Sequence, residues 1–209
     1  VMFILVIYTG FTSDNFFTKN NFMNILMNMS SRLVIALGIA GCVITAGCDL
    51  SAGRMIGFGA CISGMLLQRM DYSGKFFPDM QPLNVFVVAL IAMLVCAAFG
   101  TVTGFFIAYL NVPPFIATLA MMEIVYGIGL IVTNATPLGG YVEQYTNVSN
   151  GKFLGINYLI WIAIIVAAIT WFIFNMTRHG KYMYAIGGNP QAAEVAGVPV
   201  KATLILIYM

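Results

Sequence analysis

The sequence contains very little charge. Only 8% of its 209 residues are Asp, Glu, Lys or Arg, whereas 61% are hydrophobic and the mean hydropathy is +0.94. A soluble domain carries about 25% charged residues, so this chain lacks the polar surface that a water-soluble globule needs. Disordered chains are also polar and charged. The composition therefore excludes a soluble enzyme and a disordered segment, and leaves a membrane-spanning protein.

Residues that hold metals or nucleic acids are also scarce. The one histidine is His179, and the four cysteines lie in apolar runs without a C-x-x-C pair; they are Cys42, Cys48, Cys61 and Cys96. This spacing indicates neither a disulfide framework nor a zinc site, and we expect no metal and no other cofactor. The net charge of +2 is too small to suggest a nucleic acid partner.

Motifs for nucleotide hydrolysis and for hydrolytic catalysis are missing. The sequence contains no G-x-x-x-x-G-K-[ST] phosphate loop, no H-E-x-x-H and no G-x-S-x-G. It also lacks the clustered His, Asp or Cys that an integral-membrane enzyme needs. We therefore expect no catalytic residues in this chain. If ATP drives its activity, another subunit must supply the nucleotide site.

Apolar runs predict an all-α, polytopic bundle of transmembrane helices. A helix needs about 20 apolar residues to cross a hydrocarbon core of about 30 Å. The predicted spans are Leu33–Cys48, Met55–Leu67, Leu83–Leu110, Phe115–Thr133 and Ile156–Met176, with partial spans at Val1–Tyr8 and Ala202–Met209. We expect a single membrane domain, 1–209, that is incomplete at both ends and is a fragment of a longer protein.

Polar connections separate these spans, and their alternation predicts which of them share a side of the membrane. They are Thr12–Arg32, Gln68–Pro82, Asn134–Gly155 and Thr177–Lys201. Asn111–Pro114, a tight hairpin with paired prolines, falls on one side with Thr177–Lys201 and Asp49–Arg54. The other three connections share the opposite side. A basic cluster at 178–181 directly follows a span, which places its loop in the cytoplasm.

A polar, Gly-rich break at Gly47–Arg54 interrupts the N-terminal apolar region. Short apolar halves joined by such a break predict a discontinuous helix pair. We expect Gly47 to end the first half and Asp49 or Ser51 to cap the second, whose amino terminus carries about half a positive charge. Such an end can meet substrate hydroxyls or a carboxylate. The alternative is that Asp49 only caps the turn and pairs with Arg54.

Glu123 is the single carboxylate of an otherwise apolar span. A charge at that depth is costly unless it is paired or hydrated, so Glu123 is a candidate for a translocation pathway. The alternative is a protonated or snorkelling glutamate near the end of the span. Two G-x-x-x-G pairs, Gly53–Gly57 and Gly100–Gly104, favour close packing of helices in lipid.

A complete signature of a short helix lies within Thr177–Lys201. Asn189 suits the N-cap and Pro190 the first helical position, while Gly197 suits a left-handed stop. Isolated helices of under about 12 residues are marginal in water, so the predicted helix Pro190–Ala196 must dock on something. One interpretation is a helix that lies on its own protein or on the lipid surface. The other is a docking helix for a cytoplasmic partner.

Three stretches resemble the permease subunits of bacterial ABC sugar importers. They are TAGCDLSAGR at Thr45–Arg54, FFIAYLNVPPFIATLAM at Phe105–Met121, and YAIGGNPQAAEVAGVPV at Tyr184–Val200. The resemblance covers essentially the whole chain in order, and the galactose/methyl-galactoside and ribose types are the nearest. It implies a multi-pass permease of the bacterial inner membrane that translocates a monosaccharide and is not itself an enzyme.

The resemblance also implies partners and site residues. The partners are a second permease copy in a homodimer, a cytoplasmic ATP-binding subunit, a periplasmic sugar-binding protein and the lipid bilayer. Residues 177–201 become a cytoplasmic coupling loop, in which the candidate coupling residues are Gly187, Gly188, Asn189, Pro190, Ala192, Ala193, Glu194 and Gly197. Asp49, Ser51 and Gly53 match a D-L-S-x-G turn and, with Glu123, are candidates for the translocation pathway. Glu123 departs from the family pattern, in which an apolar or small residue is usual.

The residues themselves leave a second function open. In an ion- or proton-coupled secondary transporter or channel, which needs no ATPase partner, Glu123 or Asp49 would couple the ion.

Overall fold

The computed structural model describes residues 2–12 and 16–209, and most of these residues are helical. The elements are α1 (Met2–Thr12), α2 (Lys19–Ile44), α3 (Ala52–Leu66), α4 (Val85–Leu110), α5 (Pro114–Val132), α6 (Glu143–Asn150), β1 (Lys152–Phe153), β2 (Ile156–Asn157), α7 (Tyr158–Met176), α8 (Arg178–Gly188), α9 (Pro190–Val195) and α10 (Val200–Tyr208). Within the described ranges, α2, α4, α5 and α7 are long and apolar enough to cross a membrane, and α3 is a shorter apolar helix. The predicted all-α transmembrane bundle is confirmed.

The polar stretch that precedes the first complete span is largely helical. The predicted connection Thr12–Arg32 and the short span Leu33–Cys48 were wrong, because α2 already begins at Lys19 and has 26 residues. Polar side chains in α2 bond to carbonyls of the preceding turn and so do not interrupt the helix. Ser30 Oγ, for example, donates to the carbonyl of Leu26 at 2.7 Å. Residues 13–15 of this predicted connection, and Val1 of the predicted partial span Val1–Tyr8, lie outside the described ranges.

A tight hairpin joins α4 to α5, as predicted. Asn111 adopts the left-handed conformation at φ 52° and ends α4, and Pro114 occupies the first position of α5. Asn tolerates positive φ better than most residues do, and proline at the first helical position lacks an N–H that would be unpaired there in any case. The chain therefore reverses between two spans with only three residues outside helices.

Contacts between the connections support two of the predicted groupings of loops on one side of the bundle. Lys201 Nζ lies 5.1 Å from the centroid of the Tyr109 ring, which places the loop after α7 beside the α4–α5 hairpin. On the other side, Gln68 forms an isolated antiparallel bridge with Tyr141, so the loops before α4 and after α5 meet. The second of these loops was predicted as a plain connection, but it contains α6 and the β1–β2 hairpin.

Two apolar clusters hold the helices together. One joins α3, α4 and α5 through Phe58, Ile62, Ala92, Met121 and Val125. The other joins α2, α4 and α10 through Cys42, Ile107 and Tyr208. Gly100 and Gly104 of α4 face the backbone of α10, and a Cβ on Gly104 would stand 2.8 Å from the Cα of Ile205. This G-x-x-x-G pair therefore permits close helix packing, as predicted.

Candidate functional site

The break between α2 and α3 begins with a left-handed turn at the end of α2. Ala46 has φ 57°, and its N–H donates to Val43 O at 3.1 Å, while Gly47 N–H donates to Cys42 O at 2.8 Å. This pair of bonds is a Schellman motif. The prediction that Gly47 itself ends the helix was wrong by one residue. Glycine at 47 has another role, since a Cβ there would overlap the hydroxyl of Tyr208 and the ring would have to shift.

Asp49 organises the turn that starts α3. Its Oδ1 accepts from the Ser51 N–H at 2.8 Å and from Ser51 Oγ at 2.6 Å. Ser51 is buried and occupies the N-cap position of α3 without a capping bond from its own side chain. The predicted ion pair of Asp49 with Arg54 was wrong, because the only ion pair between described residues joins Arg69 and Asp71. The Arg54 guanidinium instead lies 4.0 Å from the centroid of the Tyr126 ring.

The break lies level with the middle of α4. Tyr208 Oη donates to the Cys48 carbonyl at 3.4 Å, and a Cβ on Gly100 would meet the Tyr208 backbone. Cys96 Sγ donates to the Met55 carbonyl at 3.6 Å, and Cys96 is the twelfth of the 26 residues of α4. The predicted discontinuous helix pair is confirmed. The expectation that Asp49–Arg54 lies on the same side as Asn111–Pro114 and Thr177–Lys201 was wrong, because the break lies level with the middle of α4.

A cavity opens beside the break, between α2 and α3. Its volume is about 330 Å³, and Asp49, Ser51 and Cys96 contribute to its lining. Asp49 is half-buried there and its Oδ1 is already bonded to Ser51. The break therefore combines a carboxylate, a hydroxyl and irregular backbone within the depth of the membrane, and irregular backbone at that depth is typical of sites that line a cavity.

The predicted coupling loop, residues 177–201, is called the coupling segment, and it contains the predicted short helix. Asn189 caps it, with its Oδ1 accepting from the Ala192 N–H at 3.0 Å, and α9 extends over Pro190–Val195, one residue less than predicted. Gly197 takes the predicted left-handed conformation at φ 85°. The helix α8, which precedes it, was not predicted, because its alternating small, basic and aromatic residues gave no clear apolar period.

The coupling segment has a buried base and an exposed tip. Met183 and Ile186 of α8 are 1% and 2% exposed, whereas Val195 of α9 is 91% exposed. From Gly188 to Gly197 the one buried residue is Ala193. Helix α9 is therefore held at its base by buried residues of α8 and projects from the bundle at its far end.

The base of the coupling segment rests on the end of α2. A Cβ on Gly187 would overlap the carbonyl oxygen of Ile44 and approach Thr45, whereas a Cβ on Gly188 would meet nothing within 4 Å. Ile44 and Thr45 immediately precede the break. The structure thus brings Gly187 into contact with the end of α2, next to the break, which the sequence did not predict.

His179 lies at the start of α8, half-buried in a cavity between α2, α7 and α10. Burial disfavours the charged imidazolium and lowers the pKa of His179 from its ordinary 6.5. The imidazole is therefore neutral at pH 7.

Glu123 lies on the exposed face of α5, away from the rest of the bundle and apart from the break. It is the tenth of the 19 residues of α5, so the alternative that placed it near the end of the span was wrong. It is exposed, and no hydrogen bond or ion pair joins it to another described residue. Asp49 lines the cavity between α2 and α3 instead. Arg54 and Tyr126 line a separate cavity, between α3 and α5. They were not among the predicted site residues, although an arginine at the start of an apolar half-helix could have pointed to this region.

Comparison with known proteins identifies the family of this chain. Residues 21–209 match the family described as branched-chain amino acid transport system/permease component. The chain belongs to this permease family. It is 41% identical over its whole length to the galactose/methyl galactoside import permease protein MglC of Escherichia coli K12, and 42% identical to that of Haemophilus influenzae. It is 31% identical over 99% of its length to the ribose import permease protein RbsC of E. coli K12.

The permease chain spans 64% of the length of the E. coli galactose/methyl galactoside relative, 65% of the Haemophilus one and 62% of the ribose relative. No solved structure gives a significant match.

Proposed function

We propose that the chain is the membrane-spanning part of an ABC importer in the bacterial inner membrane, and that it translocates a monosaccharide of the galactose/methyl-galactoside class. The identity of 41% over the whole chain to a galactose/methyl galactoside permease supports this substrate class over ribose, for which the identity is 31%. In this proposal the transport subunit is not an enzyme, works as a homodimer, receives sugar from a periplasmic binding protein and relies on a separate ATP-binding subunit.

The exposed helix α9 is the observation that carries the proposal. Its cap at Asn189 fixes its start, the buried Ile186 fixes its base, and Val195 projects 91% exposed from its far end. A cytoplasmic ATP-binding subunit that binds α9 can move α8, because α8 directly precedes α9 in the chain. Because Gly187 lies against Ile44, the same displacement reaches the end of α2 and the break at Asp49.

Alternating access then needs two states that nucleotide and sugar bind with different affinity, since a ligand shifts an equilibrium only by its differential affinity. The break is the hinge in this scheme. Its backbone is irregular, and its turn is held by the hydrogen bonds from Ser51 to Asp49 and by one bond from the Tyr208 hydroxyl to the Cys48 carbonyl. The half-helix α3 can therefore tilt against α2 without the loss of a regular helical hydrogen-bond ladder.

Co-purification with the ATP-binding subunit tests the docking role. The full-length permease with Val195→Asp should lose most of the bound ATP-binding subunit, because a charge replaces the apolar contact. Val148→Asp is the matched control, since Val148 is an exposed valine on α6 at the opposite end of the bundle. Equal recovery of the ATP-binding subunit with both variants would overturn the docking assignment.

A further inference from the structure

Two opposite charges lie on one uncovered face of the bundle. We define the open α3–α5 face by Gly53, Arg54 and Gly57 of α3 and by Glu123, Tyr126 and Gly127 of α5. Arg54, Glu123 and Tyr126 are all exposed. A Cβ placed on Gly53, Gly57 or Gly127 would meet nothing within 4 Å. The face is therefore both charged and lined by bare backbone.

The depth of this face makes contact with lipid unfavourable. Arg54 is in the first turn of α3, whose Met55 carbonyl is bonded to Cys96 in the middle of α4. Glu123 is in the middle of α5. Charged side chains at mid-membrane depth are strongly disfavoured when they face hydrocarbon, and they point towards protein or water instead. The open α3–α5 face is therefore suited to contact with protein or water rather than with hydrocarbon.

The two charges are close but do not satisfy each other within the chain. Arg54 lies over the ring of Tyr126, and Glu123 precedes Tyr126 by three residues, about 4.5 Å along the helix axis. No ion pair within 4.0 Å joins Arg54 and Glu123. Each charge thus retains its capacity for a partner of opposite sign at almost the same depth.

We propose that a second copy of the chain covers the open α3–α5 face, with Arg54 of each copy paired to Glu123 of the other. A two-fold interface uses the same patch on both copies, so a patch that contains one cation and one anion is complementary to itself. The bare glycines let the two backbones approach closely, as small residues do in membrane interfaces. This inference rests on the homodimer of the proposed function and assigns the surface that forms it.

A charge-exchange experiment tests the pairing without any need for sugar or ATP. Two differently tagged full-length copies are expressed together, and the recovery of one with the other is measured after purification in detergent. Arg54→Glu alone places two anions opposite each other, and Glu123→Arg alone places two cations opposite each other. Like charges across an interface cost several kilocalories per mole, so recovery should fall by at least about tenfold for each variant alone.

The mixed pair gives the decisive result. When one copy carries Arg54→Glu and the other carries Glu123→Arg, both cross-copy pairs again join opposite charges, and recovery should return to near the wild-type level. Recovery in the mixture also shows that both variants fold. Lys152→Glu, a charge reversal in the exposed β1 strand, is the control and should leave recovery unchanged.

The failures are distinguishable. This interface would be overturned if two copies of the same charge-reversal variant were recovered together as well as two wild-type copies are. It would also be overturned if recovery from the mixed pair stayed as low as from each variant alone. In both cases the homodimer would stand. Neutral variants, Arg54→Gln and Glu123→Gln, avoid repulsion and should weaken recovery less than the reversals; an equal or larger loss would also count against the pairing. Wild-type copies that do not co-purify would overturn the homodimer in the proposed function, and this interface with it.

Discussion

The hydroxyl of Tyr208 donates a 3.4 Å hydrogen bond to the carbonyl oxygen of Cys48, and it thereby ties α10 to the break between α2 and α3. The Tyr208 ring reaches this carbonyl across Gly47, where any side chain would overlap the hydroxyl. Tyr208 also belongs to the apolar cluster with Cys42 and Ile107. Although its backbone is irregular, the break is therefore held against α10 by Tyr208.

Tyr208→Phe should remove the hydrogen bond from Tyr208 to the Cys48 carbonyl and leave the packing of the ring unchanged. Interhelical hydrogen bonds in membrane proteins contribute about 0.6 kcal/mol on average, so we expect a small fall in the thermal unfolding midpoint of the full-length protein in detergent. The exposed Tyr184 provides the control, and Tyr184→Phe should leave the midpoint unchanged. Equal midpoints for both variants would show that the Tyr208 hydroxyl does not stabilise the break.

Gly104→Ala should separate α4 from α10. The added Cβ would stand 2.8 Å from the Cα of Ile205, which is backbone and has no room to rotate away. Overpacking of this kind costs about 1–3 kcal/mol, and the unfolding midpoint should fall accordingly. Gly38→Ala is the control, because a Cβ on Gly38 meets nothing within 4 Å and alanine favours helix. A loss with Gly38→Ala as large as that with Gly104→Ala would contradict the assigned contact.

Adjacent glycines test the contact between the coupling segment and α2. Gly187→Ala places a Cβ on the Ile44 carbonyl, whereas Gly188→Ala places one in open space. We expect Gly187→Ala to lower ATP-stimulated sugar uptake by the assembled transporter severalfold. Gly188→Ala should leave uptake near the wild-type level. If the two alanine variants transport equally well, the coupling segment does not act through the end of α2.

The cap of α9 is open to a direct test. Asn189→Ala removes the acceptor for the Ala192 N–H, and loss of an N-cap costs about 1 kcal/mol of helix stability. We expect weaker binding of the ATP-binding subunit by titration calorimetry with the full-length permease. Asn189→Asp retains the acceptor and should bind nearly as the wild type does. Weak binding by both variants would instead assign Asn189 a direct contact with the partner.

His179 predicts a pH dependence of stability. Its pKa in the folded protein is lower than the ordinary 6.5 because burial disfavours the imidazolium. Between these two pKa values the unfolded chain binds a proton that the folded chain does not, so stability falls as the pH drops below 6.5 and is unaffected by this group above it. His179→Gln should flatten this part of the curve of unfolding midpoint against pH. A curve that keeps its slope without His179 would assign the dependence to other groups.

The sequence predicted the fold where its signals were strong and local. Apolar runs predicted most of the transmembrane helices, the paired prolines predicted the α4–α5 hairpin, and Asn189 with Gly197 predicted the bounds of α9 to within one residue. It failed where local signals misled. Polar residues near Lys19 suggested a loop, yet side chains such as Ser30 bond back to their own helix. Gly47 suggested the end of α2. Ala46 instead adopts the left-handed conformation that ends the helix, and the lack of a side chain at Gly47 leaves room for the Tyr208 hydroxyl.

The candidate site was predicted only as separate pieces. Asp49, Ser51 and Gly187 were identified by residue type and resemblance, but the contact between Gly187 and Ile44 depends on how α8 folds back, and no local pattern encodes it. The neighbourhood of Arg54 and Tyr126 is likewise a tertiary property. Sequence reasoning therefore paired Arg54 with Asp49, the nearest carboxylate along the chain.

ATP-driven monosaccharide import is the central claim, and uptake by proteoliposomes tests it most directly. The full-length permease is reconstituted with its ATP-binding and sugar-binding subunits, and radiolabelled galactose uptake is measured with and without ATP and with an uncoupler. The account predicts uptake that requires ATP and the ATP-binding subunit and that survives collapse of the proton gradient. Uptake that proceeds without ATP and stops when the gradient collapses would contradict it, and would favour an ion- or proton-coupled transporter.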